Sequence, residues 1–329
     1  MPGMPRVAVP IEVSPDAFRR RDAGAAIVAL SGETMGTSWS ARIVSPRPAA
    51  ELRAAIVQAL DGVIAEMSNW EADSAISRFN RAPPGSWQDL PDDLAHVLDA
   101  ALSVARTSGG AFDPAAGALA DLWGFGPCGR RAPPVEDALA AASSGWEAIE
   151  LSDRRARRTA AVRLDLSGIA KGFGVDALAR ALRALGTNDF LVEIGGELVG
   201  AGVKPGGDPW WVDLEAPPGA RIAPLRVALH ELAVATSGDY QRFFETEGRR
   251  YAHTIDPRTR RPVENGVVSA TIVHSNCMMA DAWATALTVL GPDEGMALAG
   301  REDLAARLIV RDGSAHRELL SPRLEAMLS

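Results

Sequence analysis

Segments with a strand pattern arrive in runs and hairpins in the second half of this chain, and their order constrains the fold most. Residues 190–194 and 198–201 are apolar runs on either side of Gly195-Gly196. Glycines between two such runs indicate a hairpin, because glycine adopts positive φ readily. Further strand patterns cover residues 210–214, 225–229 and 267–273. An α/β fold would alternate strands with helices, so we predict an α+β fold.

Helical spacing is clearest between residues 49 and 67, where one face carries Leu52, Ile56, Leu60, Val63 and Met67. Further helices are expected at 92–107, 135–143, 174–185 and 279–290. A strand, turn and strand are expected over 27–44, a further strand over 162–166, and a loop-rich stretch around 74–79. We interpret residues 1–25 as a flexible arm or an edge segment, and residues 26–329 as one domain.

Composition excludes several classes of protein. The 329 residues carry a formal net charge of −8, which argues against a broad nucleic-acid surface and repels anionic substrates. A phosphate ligand would therefore need a local cation, a metal or backbone N–H groups. The two cysteines, Cys128 and Cys277, are far apart and belong to no Cys/His cluster, so no structural zinc site is expected. Two reduced thiols are the simpler interpretation, and a disulfide is the alternative.

Targeting signals are not evident in the sequence. No run of about 18 apolar residues occurs, so no membrane-spanning helix is expected. The arginines at 19–21 precede an apolar stretch that is too short for a secretory signal. As written, the sequence predicts a cytoplasmic protein, and a different true start would allow a periplasmic one.

The segment LDLSGIAKGFGVDALARAL, residues 164–182, combines glycines with one lysine where an apolar strand is expected to lead into a helix. Gly168, Gly172 and Gly174 would let a ligand approach the backbone, and a helix N-terminus offers unpaired N–H groups to an anion. Lys171 adds a positive charge for a phosphate. An ordinary strand, turn and helix with one exposed lysine remains the alternative.

The segment MADAWATAL, residues 279–287, places Asp281 and Thr285 four residues apart, on one face of a helix. A carboxylate, a hydroxyl and a backbone carbonyl form a hard-oxygen set suited to Mg²⁺. A solvated or capping pair is the simpler alternative.

Two further groups of residues suit chemistry at a bound ring and phosphate. His253 precedes the turn signal Asp256-Pro257 and could act as a general base, although a lone histidine is more often structural. Met35, Trp70 and the run Ala111-Phe112-Asp113 offer flat or soft side chains for an isoalloxazine or adenine ring. Core packing is the alternative for each of them.

Taken in order, these segments resemble one family. The motifs ETMGT, DSAISRFN, AFDPAAGALADLWGFG, LDLSGIAKGFGVD, EIGGELVGAG, ATSGDY, HTIDPRT and MADAWATAL resemble those of the FAD:protein FMN transferases, the ApbE flavin transferases, over roughly residues 30–295. The resemblance implies an ApbE-like α+β fold, in which mixed or antiparallel sheets and packed helices form a flavin cleft between two lobes.

The resemblance also implies roles for individual residues. Implied flavin-binding residues are Met35, Trp70, Ala111, Phe112, Asp113, Asp165, Lys171, His253, Thr254 and Ile255. The implied metal ligands are Gly168, through its carbonyl, with Asp281 and Thr285. Trp70 stands where many members have tyrosine, and Arg260 stands where the family has glycine. If that position requires positive φ, arginine is strained there.

The implied reaction is the Mg²⁺-dependent transfer of the FMN half of FAD to a Thr or Ser hydroxyl of an acceptor flavoprotein, with release of AMP. We expect His253 to accept the proton of the incoming hydroxyl, with Asp256 as second candidate. An FAD pyrophosphatase that uses water as nucleophile, a non-catalytic flavin-binding protein and a flavin-dependent oxidoreductase are the alternatives.

Overall fold

The computed structural model describes residues 6–13, 18, 21–238, 243–246, 248–313 and 315–328. Numbered in chain order, its strands are β1 (Arg6–Ala8), β2 (Ile27–Thr34), β3 (Thr37–Val44), β4 (Gln88–Asp89), β5 (Ile149–Ser152), β6 (Arg155–Arg158), β7 (Phe190–Ile194), β8 (Glu197–Ala201), β9 (Trp210–Leu214), β10 (Leu225–Leu229), β11 (Leu232–Gly238), β12 (Phe243–Thr246), β13 (Arg249–Ala252), β14 (Ile255–Asp256), β15 (Arg261–Pro262), β16 (Val267–His274), β17 (Ala305–Asp312) and β18 (Ala315–Leu320). The α-helices are α1 (Ala49–Met67), α2 (Ala75–Arg81), α3 (Asp92–Thr107), α4 (Gly117–Leu122), α5 (Glu136–Ala141), α6 (Ala170–Ala184), α7 (Cys277–Arg301) and α8 (Pro322–Glu325).

An eight-stranded sheet organises the described part of the chain. Its strand order is β18-β17-β16-β11-β8-β7-β3-β2, and every neighbouring pair in it is antiparallel. A second sheet has the order β1-β10-β9, in which β1 pairs with β10 in parallel. Residues 6–8 therefore form an edge strand. They belong to residues 1–25, which we interpreted from the sequence as a flexible arm or an edge segment.

The two faces of the large sheet are covered by different elements. On one face, Ala233 and Ala235 of β11 belong to the apolar cores beneath the helices. Between them, Val234 points to the other face and packs in the core that contains Trp210 of β9 and Leu225 of β10. This period of two is the pattern of a strand buried on both sides.

Several predicted elements are confirmed. The apolar face at residues 49–67 forms α1, and residues 92–107 form α3, each with the expected bounds. The hairpin around Gly195-Gly196 forms β7 and β8, with both glycines at positive φ. The α+β fold with antiparallel sheets and packed helices is confirmed as well.

The strand predicted at 162–166 was wrong. Of this segment, only Arg163 forms a β-bridge, with Ala116, while both backbone polar groups of Leu164 bond to the side-chain amide of Asn80. The side-chain bonds replace a strand ladder, and the apolar residues that suggested a strand are buried by tertiary packing instead.

Three further boundaries differ from expectation. The stretch expected to be a loop contains α2, which Ser74 caps by accepting a hydrogen bond from the Ser77 backbone N–H at 3.1 Å. Helix α6 begins at Ala170, four residues before the expected start at Gly174, so Gly172 lies inside it. Helix α7 continues to Arg301 through a kink, where Gly291 has φ of +84° and Pro292 follows.

Both cysteines are free thiols, Cys128 exposed and Cys277 buried. Among the residues described here, no helix is long and apolar enough to cross a membrane.

Candidate functional site

Helices α6 and α7 meet at Gly172, where the two backbones approach closely. The Gly172 N–H donates to Asp281 Oδ2 at 3.0 Å. A methyl group at Gly172 would overlap the Cys277 carbonyl oxygen, and it would lie 2.7 Å from the Cys277 carbonyl carbon and 2.8 Å from Asp281 Cβ. Only glycine fits there, so the start of α6 and the first turns of α7 are held in direct contact.

The N-terminus of α7 is satisfied by two side chains. Asp176 of α6 accepts hydrogen bonds from the backbone N–H groups of Cys277 at 3.1 Å and Met278 at 2.8 Å. Asn276 accepts one from the Met279 N–H at 2.9 Å. Burial raises the pKa of Asp176 to about 6, against the lowering effect of those two N–H donors. This carboxylate therefore anchors α7 at a position where a negative charge suits the helix dipole.

Two buried carboxylates and one partly exposed lysine lie beside this contact. Lys171 Nζ lies 2.6 Å from Glu197 Oε1, while Glu197 Oε2 is buried without a hydrogen-bond partner among the described residues. Burial raises the pKa of Asp281, against the opposing effects of Lys171 and the Gly172 N–H. Burial and the negative charge of Asp281 raise the pKa of Glu197, again against Lys171. Two buried carboxylates thus share one lysine, and the cluster is short of positive charge.

The predicted metal ligands lie together at this cluster. A methyl group at Gly168 would lie 3.1 Å from Thr285 Oγ1, so Thr285 faces the Gly168 backbone. Asp281 precedes Thr285 by one helical turn and is buried. No group of three His, Cys, Asp or Glu side chains suited to a metal occurs in the described part of the chain. A metal here would rely on one carboxylate, one hydroxyl and a backbone carbonyl.

The run Ala111-Phe112-Asp113 lies along the segment that leads into α6. The Asp165 N–H donates to the Pro114 carbonyl at 2.8 Å, and the Phe112 ring lies against Gly168, 3.3 Å from where a methyl group would be. Ala111 and Phe112 are buried in the core.

The carboxylates of Asp113 and Asp165 flank these contacts. Burial raises the pKa of Asp113 to about 6, against the opposing hydrogen bond from the Ala115 N–H, which is 2.7 Å long. Asp165 accepts a hydrogen bond from the Ser167 N–H at 2.9 Å. Both acids thus lie on irregular segments, which the bond from the Asp165 N–H to the Pro114 carbonyl joins.

Trp70 is tethered to the same region through its neighbour. The Asn69 side chain donates to the Leu164 carbonyl at 3.2 Å, next to Asp165. Trp70 itself is 64% exposed, which is unusual for a large aromatic side chain.

Met35 reaches the start of α6 from the β2–β3 hairpin. Met35 has φ of +48° and Gly36 has φ of +71°, the backbone signs of a two-residue turn that matches strand twist. A methyl group at Gly174 would lie 3.1 Å from Met35 Cε, so the methionine tip rests on α6. A non-glycine residue at positive φ is uncommon, and here it directs the thioether toward the α6–α7 junction.

The segment 253–256 lies in a different substructure, which β12 to β15 form. Its members are His253, Thr254, Ile255 and Asp256. The described ring contact of His253 is with Phe125, edge to face at 6.4 Å. Arg258 occupies the Asp256 carboxylate with two guanidinium bonds, at 2.9 and 3.0 Å, and with its backbone N–H. Thr254 is buried, and its carbonyl accepts from the Val263 N–H. Asp239 and Tyr240 of the ATSGDY motif lie outside the described residues.

Sequence reasoning missed Glu197, Asp176 and Arg258. Glu197 follows the glycine turn inside a quoted motif, and its signal was a charged residue at a strand position that otherwise faces the core. Asp176 lies on the inward face of α6, between Val175 and Ala177. Their partners are 26 and about 100 positions away, so local patterns could not reveal them.

Three surface cavities, of about 520, 750 and 540 Å³, lie away from all of these residues. The first is lined by segments 44–47 and 185–189, and the second by segments 10–13 and 230–232. The geometry of the charged cluster, and not cavity size, therefore identifies the candidate site.

Similarity to known proteins extends over most of the chain. The model of the ApbE family matches residues 35–308. An FAD:protein FMN transferase of Vibrio cholerae is 36% identical over 310 residues, which cover 92% of this chain and 93% of the relative. The crystal structure of the Pseudomonas stutzeri flavinyl transferase ApbE, in its apo form, has a TM-score of 0.85 at 36% identity and covers 92% of this chain and 97% of its own. A Thermotoga maritima ApbE protein has a TM-score of 0.81 at 28% identity, with 92% and 100% covered.

Proposed function

The chain belongs to the ApbE family, and on that premise we propose that it is a flavin transferase acting on FAD and an acceptor protein. In the proposed reaction, a Thr or Ser hydroxyl oxygen of the acceptor bonds to the FMN phosphorus of FAD. The bond from that phosphorus to the bridging oxygen breaks, and the bridging oxygen leaves on AMP. The acceptor supplies the nucleophile, so none is assigned within this chain.

The observation that carries the proposal is the buried cluster at the α6–α7 junction. Two buried carboxylates, Asp281 and Glu197, face a single, partly exposed lysine. A buried negative charge is costly unless a cation neutralises it. Burial raises the pKa of both acids, against the lowering effect of Lys171. The cluster therefore fits a divalent cation bound together with an anionic substrate.

Asp281, Thr285 and the Gly168 carbonyl are the groups we propose to hold Mg²⁺. All three present oxygen, the ligand type that this ion prefers. Gly168 fits because a side chain there would crowd the Thr285 hydroxyl. When bound, Mg²⁺ would supply Lewis-acid stabilisation of the charge that develops on the pyrophosphate.

Lys171 is the protein cation that we propose for the pyrophosphate. Glu197 holds its ammonium group at 2.6 Å, and a lysine fixed this way loses less freedom when it contacts a phosphate oxygen. We assign Glu197 as a positioning residue for Lys171. The Gly172 N–H is already used by Asp281 and is not counted among the phosphate donors.

For the isoalloxazine ring we propose contacts from Met35, Trp70 and the 111–113 run. The exposed indole of Trp70 offers a flat face that no core packing occupies. Phe112 is buried and acts by shaping the floor beneath Gly168. Asp113, Asp165, Thr254 and Ile255 complete the proposed set of flavin-binding residues.

His253 is the group that we propose accepts the proton of the incoming hydroxyl. The alternative, Asp256, has its carboxylate bonded to the Arg258 guanidinium and backbone. Because these bonds occupy its carboxylate, we assign Asp256 to fixing the turn that follows His253.

Calorimetric titration of Mg²⁺ into the protein tests the proposed metal site without depending on turnover. Thr285→Val should weaken Mg²⁺ binding by about tenfold or more, a loss of roughly 1.4 kcal/mol of binding free energy. The matched control is Thr288→Val on the same helix, because the Thr288 hydroxyl is buried and bonded to the Ala284 carbonyl at 2.8 Å. Equal Mg²⁺ affinity in the two variants would refute the assignment of Thr285.

A further inference from the structure

Arg260 has a backbone conformation that side chains avoid. It lies at the end of the turn between β14 and β15 with φ of +62°, and its N–H donates to the Asp256 carbonyl at 2.7 Å. In this region Cβ approaches the following carbonyl oxygen, and glycine alone escapes that cost. An arginine at this position needs a compensating interaction.

The guanidinium group supplies one such interaction at the end of a neighbouring helix. Arg260 Nη1 donates to the carbonyl oxygens of Leu139 and Ala140, at 2.8 Å each. Both residues lie in the last turn of α5, where the helix dipole favours a cation. The side chain thus caps α5 from more than a hundred residues away in sequence.

The backbone carbonyl of Arg260 contacts a second residue, Trp123, at the start of the segment 123–141, which ends with α5. The Arg260 carbonyl accepts a hydrogen bond from the indole N–H of Trp123 at 2.9 Å. Trp123 is buried, so its N–H has no water to bond instead. Arg261 adds an ion pair to Glu136 at the start of α5. The β14–β15 turn is therefore bonded to both ends of the 123–141 segment, to Trp123 at its start and to α5 at its end.

That segment carries Phe125, which contacts His253, and Trp123, which contacts Tyr251. The Phe125 ring meets His253 edge to face and lies 5.4 Å from Phe244. Trp123 lies 5.5 Å from Tyr251, two residues before His253. Leu139 of α5 packs in one apolar cluster with Trp123 and Phe125, so a shift of α5 would displace the ring that contacts the imidazole.

We propose that Arg260 is a positioning residue, which clamps the 123–141 segment onto the β14–β15 turn and thereby fixes the orientation of His253. The inference rests on the proposed role of His253 as the base. The strain at Arg260 is retained because the side chain caps α5, and removing the side chain loosens α5 even though it relieves the strain.

Hydrogen exchange and kinetics on Arg260→Gly test this clamp. Amide exchange in residues 136–142 should accelerate about tenfold or more, while exchange in residues 277–290 stays unchanged. The kcat for flavin transfer should fall about tenfold, with FAD affinity within about twofold, because a displaced base affects the chemical step more than binding. Arg260→Lys, which keeps a cationic donor, should recover part of both effects.

Asp153→Gly is the matched control, because Asp153 is also a non-glycine residue at positive φ, +54°, in an exposed hairpin turn. It should alter neither exchange in 136–142 nor kcat. An active Arg260→Gly variant with wild-type exchange or wild-type kcat would overturn the inference. So would an Arg260→Lys variant that regains protection of α5 without regaining kcat. A wild-type protein that transfers no flavin would instead refute the proposed function, and the catalytic part of this inference with it.

Discussion

Gly172→Ala is the substitution that most sharply tests the contact between α6 and α7. The added methyl group would overlap the Cys277 carbonyl and lie 2.8 Å from Asp281 Cβ. Real Cβ atoms do not approach backbone this closely, so the two helices must separate. The carbonyl belongs to a helix whose N-terminus is anchored by Asp176 and Asn276, and it has little freedom to yield.

The expected magnitude follows from opposing effects. Overpacking costs about 1–3 kcal/mol, and lengthening the bond from the Gly172 N–H to the Asp281 carboxylate adds roughly 1.5–3 kcal/mol. Alanine is a better helix former than glycine, which returns at most about 1 kcal/mol. We expect a net destabilisation of about 1.5–6 kcal/mol.

Urea denaturation of Gly172→Ala and Gly62→Ala measures this effect. Gly62 is an exposed glycine in α1 with nothing within 4 Å of an added methyl group, so its substitution should leave stability unchanged or raise it by up to about 1 kcal/mol. The urea midpoint should fall for Gly172→Ala alone. A Gly172→Ala protein as stable as the wild type would refute the close approach of the two helices.

Three further predictions concern the same region. Asp281→Ala should abolish Mg²⁺-dependent turnover while circular dichroism shows a folded protein, and unchanged turnover would exclude Asp281 as a ligand. Trp70→Ala should weaken FAD binding by roughly 1–3 kcal/mol, whereas equal affinity in a fluorescence titration would remove Trp70 from the site. Burial raises the pKa of Asp176 from 3.8 to about 6 in the folded state. The folded protein therefore binds this proton more tightly than the unfolded chain does. The free energy of unfolding that this group contributes declines as the pH rises between those two values. The stability difference between Asp176→Asn and wild type should therefore change between pH 4 and pH 7, in favour of the variant at the higher pH, and a constant difference would contradict the burial of Asp176.

The elements that could be predicted from sequence are those whose signal is local. Helix α1 has one apolar face over its whole length, and the β7–β8 hairpin has two glycines between apolar runs. The segment 162–166 has equally apolar residues, but the side-chain amide of Asn80, 84 positions away, bonds both backbone polar groups of Leu164. The spacing of apolar residues in a sequence indicates which residues are buried. It does not indicate which groups form hydrogen bonds with the backbone N–H and carbonyl groups.

The same distinction applies to the candidate site. Gly168, Asp281 and Thr285 could be proposed from the sequence, and they do lie together. Glu197 could not, because its partner Lys171 is on another element and its importance comes from burial. The positive φ at Arg260 was expected only conditionally, and the bonds that compensate for it lie on α5.

The most direct test of flavin transfer is intact-mass spectrometry of an acceptor protein bearing a threonine motif, mixed with this protein, FAD and Mg²⁺, with AMP followed in parallel. The acceptor should gain the mass of an FMN phosphoester group, and AMP should appear in equal amount. AMP and free FMN with an unmodified acceptor would contradict the transferase and indicate hydrolysis. An unmodified acceptor and no AMP would contradict both catalytic activities and indicate a protein that only binds flavin.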